Sequence, residues 1–128
     1  MQLVNRDDKG QTPNEAISNI TRKAKITAMD EEIPIVLLCQ LNRNCETRGT
    51  YSFRHQLSDL RDSGSIEQDA DEVLFLYRDD YYNPDTEEKN VAECFVAKNR
   101  HGETGTVKLQ WLPQYTTFSD REWKHSEP

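Results

Sequence analysis

The run Ile33-Pro34-Ile35-Val36-Leu37-Leu38-Cys39 constrains the fold more than any other stretch. It is apolar at odd and even positions alike, so a strand made from it would bury both faces. Sheets covered on both sides are mostly parallel and flanked by helices, which predicts a central strand of an α/β domain. Pro34, lacking an N–H, is tolerated at the start of such a strand. A helix is predicted just before it, from about residue 13 to residue 32. Thr12 suits the N-cap, Pro13 the first helical position, and Glu15 stands three residues past Thr12, as a capping box requires. Ala16, Ile17, Ile20, Ala24, Thr27, Ala28 and Glu31 advance by three or four and form a narrow stripe of mostly small residues. Arg22, Lys23 and Lys25 flank the stripe and are expected on a solvated face.

With 128 residues the chain is expected to form one domain at most. Its formal net charge of −7 excludes a generally basic nucleic-acid coat, so any DNA contact must come from a few local positions. Five Tyr, four Phe and two Trp argue against full disorder although 30% of residues are charged. No apolar run approaches a membrane span, and the start, Met1-Gln2-Leu3-Val4-Asn5-Arg6, is not patterned as a signal peptide. Cys39, Cys45 and Cys94 are unevenly spaced, which fits a reducing cytoplasm better than a disulfide framework or a zinc site. His55 has no partner at metal-ligand spacing and reads as a surface residue, and no metal site is expected.

Beyond the apolar run the chain passes through a long irregular segment at residues 44–56. A short helix is expected near residues 57–61, a loop at 62–64 and a helical turn at 65–69. Val73-Leu74-Phe75-Leu76-Tyr77 reads as a second strand and residues 78–85 as a solvated loop, with a turn at Asn83-Pro84-Asp85. Residues 91–97 read as a third strand. Gly102 and Gly105 are expected to make the turn of a hairpin whose return strand is residues 106–112. Residues 115–118 are expected to pair once more, and residues 121–128 to form a tail.

Three places could carry chemistry. Gln40 follows the carboxyl end of the predicted buried strand, where open α/β sheets bind ligands, although a plain exit into a loop explains it equally. The stretch Ser58-Asp59-Leu60-Arg61-Asp62-Ser63-Gly64-Ser65-Ile66-Glu67-Gln68-Asp69-Ala70-Asp71 can offer backbone N–H groups and one guanidinium to an anion. The same residues also read as a helix cap, with Ser63 or Ser65 as N-cap. Lys98 and Arg100 lie two apart at a strand end, so period two aims them together: one point charge and one planar fork, suited to a phosphate. Two exposed charges on a hairpin are the alternative.

Three strings agree in order and spacing with a known family: Leu38-Cys39-Gln40-Leu41-Asn42-Arg43, the stretch from Ser58 to Asp71, and Ala97-Lys98-Asn99-Arg100-His101-Gly102 before Gly105-Thr106. By these the chain, over about residues 1–118, resembles the C-terminal half of the motor domain of bacterial replicative DNA helicases, the DnaB family. The resemblance implies an α/β fold that is the C-terminal half of a RecA-like P-loop NTPase, with a mostly parallel sheet and a C-terminal hairpin. Residues 119–128 would be a tail. It implies a hexameric ring in the cytoplasm that couples ATP hydrolysis, with Mg2+, to translocation on single-stranded DNA and unwinding of duplex. Primase and a helicase loader would be its partners. It implies that Gln40 is a sensor between γ-phosphate and DNA-facing loops, that Arg61, Asp62 and Gly64 hold the DNA backbone, and that Lys98 and Arg100 reach the neighbouring subunit's γ-phosphate, Arg100 as the arginine finger.

The sequence departs from the family pattern at Asp62, where Glu is usual, and at Cys39 and His101, which replace Ser and Asn. No G-x-x-x-x-G-K-[ST] phosphate loop occurs in the 128 residues. The expectation is therefore that the phosphate loop, the magnesium-binding Asp and the water-activating Glu precede Met1, and that the chain alone holds no ATP or Mg2+ and hydrolyses nothing. A strand at Ile35–Cys39 without those neighbours would leave an open edge and favour self-association. The other reading is a stand-alone, non-catalytic module derived from such a helicase that binds DNA or partner subunits.

Overall fold

A computed structural model describes residues 10, 12–40 and 64–121. The chain divides into two compact units, Met1–Val73 and Leu74–Pro128.

The first unit is built on helix α1, Pro13–Glu31. Its start is the predicted capping box. Thr12 Oγ1 accepts from the Glu15 N–H at 3.3 Å, and Glu15 Oε2 accepts from the Thr12 N–H at 2.8 Å. Two of the N–H groups that every helix start leaves unpaired are thus satisfied. The helix ends at Glu32, whose φ of 53° is left-handed and whose N–H donates to the Ala28 carbonyl. The second helix, α2, is one short piece at Gly64–Asp69 and packs on α1. Thr21 is the buried residue of α1. Ala16, Ile17, Ile20, Ala24 and Ala28 are half-buried around it, while Thr27 and Glu31 of the predicted stripe are exposed.

Residues 33–40 do not behave as the apolar run predicts. They pair with no strand among the described residues, and Val36 and Leu38 are 82% and 84% exposed. A central parallel strand needs a hydrogen-bonded neighbour on each edge and cover on each face. The described residues provide neither here.

All but the first two residues of a four-stranded sheet, in the order β1-β2-β3-β4, lie in the second unit. Its strands are β1 (Glu72–Arg78), β2 (Val91–Asn99), β3 (Gly105–Leu112) and β4 (Thr117–Asp120). Strand β1 alternates strictly: Val73, Phe75 and Tyr77 are buried, and Glu72, Leu74 and Leu76 exposed. The β2–β3 and β3–β4 pairs are antiparallel, with Val96 opposite Gly105 at one end of the hairpin and Leu112 opposite Thr117 at the start of the last strand. The described sheet is thus antiparallel where its register is defined, not the mostly parallel sheet expected. Hairpin connections of a few residues join its last three strands, and only antiparallel neighbours can be joined so briefly.

Two further departures are local. Residues 79–82, expected as loop, form helix α3, Asp79–Tyr82. Its two leading acids suit a helix start, and Tyr82 stacks on Tyr77 with ring centroids 5.6 Å apart. A 3-10 turn at Pro113–Tyr115 then leads into β4.

Beneath α3 lies a polar knot. Asp80 accepts from Arg78 Nε and from the Asn90 N–H, both at 3.0 Å. The Arg78 guanidinium also lies over the Trp111 ring, 5.0 Å from its centroid. Asn90 itself is left-handed, φ 57°, a conformation that Asn tolerates better than most residues. Burial pushes the Asp80 carboxyl upward, but the Asn90 N–H and the Arg78 guanidinium outweigh it and hold the group below its usual range. Burial, helped by its hydrogen bond to Asp79, pushes the Tyr77 hydroxyl far up, so it stays protonated.

Candidate functional site

The most complete candidate is the turn between β2 and β3. Lys98 is the penultimate residue of β2 and is half-buried; Arg100 lies just past the strand end and is exposed. Strand parity therefore does not govern Arg100. Its direction is set by the turn. Asn99, between the two cations, sets that turn. Its Oδ1 accepts from the His101 N–H and its Nδ2 donates to the Glu103 carbonyl, both at 3.3 Å. One amide thus ties both limbs of the turn, as the short Asn side chain does best. Gly102 completes the arrangement by omission: a Cβ there would stand 2.7 Å from Asn99 Nδ2. Gly105, expected in the turn, instead pairs with Val96 inside the ladder.

The second candidate is the start of α2. Gly64 is its first residue; Arg61 and Asp62 lie outside the described residues. What the structure shows is how α2 is held. Thr21 Oγ1 donates to Asp69 Oδ2 at 2.8 Å and lies 3.4 Å from Ser65 Oγ. A single hydroxyl proton favours the carboxylate, the strongest acceptor in reach. Just beyond α2, Lys25 Nζ meets both oxygens of Asp71, at 2.6 and 2.8 Å. Lys25 is therefore half-buried and paired, not part of a solvated face. Arg22 and Lys23 are exposed, as expected.

Gln40, the third candidate, is exposed at the end of the described segment 33–40. Lys98 and Arg100 share one hairpin; Gln40 and Gly64 belong to the other unit. Sequence reasoning passed over Thr21, the pairing of Lys25, and Asn99. Asn99 had a signal, an Asx-type turn residue two before His101. Thr21 and Lys25 had none, because their partners lie more than forty positions away.

A helix packed on a short second helix, and an antiparallel sheet with Lys98 and Arg100 at one end of a hairpin, make this an α/β chain. Comparison with known proteins gives the class a family. The model of the DnaB-like helicase C terminal domain matches residues 1–120, and the chain belongs to that family. It is 43% identical to the replicative DNA helicase DnaB of Geobacillus stearothermophilus over 128 residues, covering 99% of this chain and 28% of that protein. It is 46% identical to the replicative DNA helicase DnaC of Bacillus subtilis (strain 168) over 123 residues, covering 95% and 27%. Among solved structures, an ATPase domain superposes with a TM-score of 0.88 at 41% identity, covering 95% of this chain and 42% of that one. A DnaB-like replicative helicase studied with its primase interactions gives 0.87 at 41%, covering 94% and 29%. The chain thus spans a little over a quarter of the length of the curated relatives it matches. Among the described residues no helix is long and apolar enough to cross a membrane.

Proposed function

We propose that the chain serves as the C-terminal part of a replicative helicase motor, a RecA-like domain that works in a hexameric ring on single-stranded DNA. The observation that carries this reading is the β2–β3 turn, where a clamped backbone presents exposed Arg100 beside Lys98 within a family of helicases. A phosphoryl group in transfer spreads negative charge over its outer oxygens, and cations placed in advance stabilise it more than the ground state. Arg100 is the finger and Lys98 the accompanying point charge, both acting on nucleotide held by the next subunit. A finger in trans makes hydrolysis depend on subunit contact, which is what couples a ring to directed movement.

In the same assembly Arg61, Asp62 and Gly64 form the loop on the DNA backbone, and the α1–α2 contacts hold the helix that Gly64 begins. Gln40 senses the γ-phosphate. ATP and Mg2+ are held by a phosphate loop that these 128 residues do not include. Among the described residues no cluster of three or more His, Cys, Asp or Glu side chains suits a metal ion. The part of the motor that contains the phosphate loop would also cover the exposed residues 33–40; in the solved ATPase domain more than half of the chain lies outside the match. Primase and a helicase loader are the proposed protein partners.

The same residues would also serve one other reading, a non-catalytic module that binds DNA or subunits. ATP hydrolysis by the product of the complete gene, with and without single-stranded DNA, separates the two. Hydrolysis that Arg100→Ala lowers by about a thousandfold supports the motor. No hydrolysis, with retained DNA binding, supports the module.

A further inference from the structure

We propose that Asn99 is a positioning residue for Arg100. Its side-chain amide fixes the turn so that the guanidinium starts from one direction. The inference rests on Arg100 being the trans finger, and adds how that finger is aimed.

The geometry is specific. The bond from the His101 N–H to Asn99 Oδ1 closes a ring around Arg100, spanning the backbone on either side of it. The bond from Nδ2 to the Glu103 carbonyl ties the same amide to the far limb of the turn. Arg100 is therefore the residue enclosed between two anchored neighbours. Its side chain is long and carries considerable rotamer entropy, so a fixed Cα–Cβ direction removes much of the search for the phosphoryl oxygens. Gly102 belongs to the same device. A methyl at its Cβ position would meet Asn99 Nδ2 at 2.7 Å and push the amide off one of its two partners. Gly102 leaves the amide its room and is not there for its backbone angle: among the described glycines only Gly10 has positive φ.

A finger contact is made in the transition state more than in the ground state, so misaiming it lowers kcat and leaves KM little changed. A bond that merely stabilised the hairpin would lower the melting temperature and leave kcat of the folded protein intact. The experiment is steady-state ATP hydrolysis with single-stranded DNA on the complete gene product, comparing wild type, Asn99→Ala, Gly102→Ala, the double variant and Arg100→Ala, each with its thermal melt. Expected is a fall in kcat between about tenfold and a hundredfold for Asn99→Ala, at near-constant KM, smaller than the loss for Arg100→Ala. Gly102→Ala is expected to lower kcat in the same sense, and the double variant to be no worse than Asn99→Ala, because both act through one contact. If Arg100→Ala abolishes turnover while Asn99→Ala and Gly102→Ala stay within about twofold of wild type, the positioning role is overturned and the finger stands. Fully additive effects of the two variants also overturn it. An unaffected Arg100→Ala, or a complete gene product that hydrolyses no ATP, overturns the finger and the inference together.

Discussion

The turn at residues 98–105 and the α1–α2 contact are held by opposite means. In the turn the holding group is local: Asn99 bonds residues two and four positions away. At α2 the holding groups come from far along the chain, Thr21 reaching Asp69 and Lys25 reaching Asp71. A local clamp depends on few residues besides the strands that flank it. A tertiary latch forms only when two helices dock, and it fails with them.

The largest effect expected is on the turn. Arg100→Ala should lower DNA-stimulated ATP hydrolysis of the complete gene product by about a thousandfold with a comparatively small change in melting temperature, since Arg100 is exposed. A melt that falls with the activity would make the turn a structural element like the latch. On the latch, Thr21→Val keeps shape but leaves the Asp69 carboxylate without its buried donor. The expected cost is about 1–3 kcal/mol in urea unfolding of the chain. Lys25→Met tests the other half of the latch. The pair is 28% and 42% exposed, so the expected loss is below about 1 kcal/mol and shrinks with added salt. Equal costs for the two variants would contradict the division of labour between a buried hydroxyl and a half-exposed ion pair.

The polar knot under α3 gives a pH test away from both regions. Asp80 is held below its usual range in the fold, so the unfolded chain takes up a proton at a higher pH than the folded one. The stability it contributes is complete above the unfolded value of about 3.9 and is lost as pH falls through the lower folded value. Asp80→Asn should therefore destabilise the chain at neutral pH and flatten the loss of stability below about pH 4. Parallel acid-denaturation curves for the two proteins would contradict that.

Legibility follows the same local and distant division. Thr12, Pro13 and Glu15 announce the helix start because a capping box lies within four residues. The hairpin is readable from alternation, though Gly105 is a ladder residue and Gly102 matters for space. The apolar character of residues 33–39 is plain in the sequence, but pairing as a strand needs neighbours that the described residues do not contain. Thr21 is invisible because a Thr on a helix stripe gives no sign of a carboxylate forty-eight positions later. The residues alone offer Arg61 as an anion-binding guanidinium, and the family resemblance adds a DNA role for it and for Asp62; both lie outside the described residues.

The central claim is that Arg100 works on nucleotide held by a neighbouring subunit. Mixing tests it most directly. Arg100→Ala subunits of the complete gene product are combined with subunits that carry Arg100 but are disabled in the proposed phosphate loop. Each is expected to be inactive alone. Expected on mixing is renewed DNA-stimulated ATP hydrolysis, from interfaces that join an intact loop to an intact finger. A mixture that stays inactive while wild-type rings turn over would contradict it.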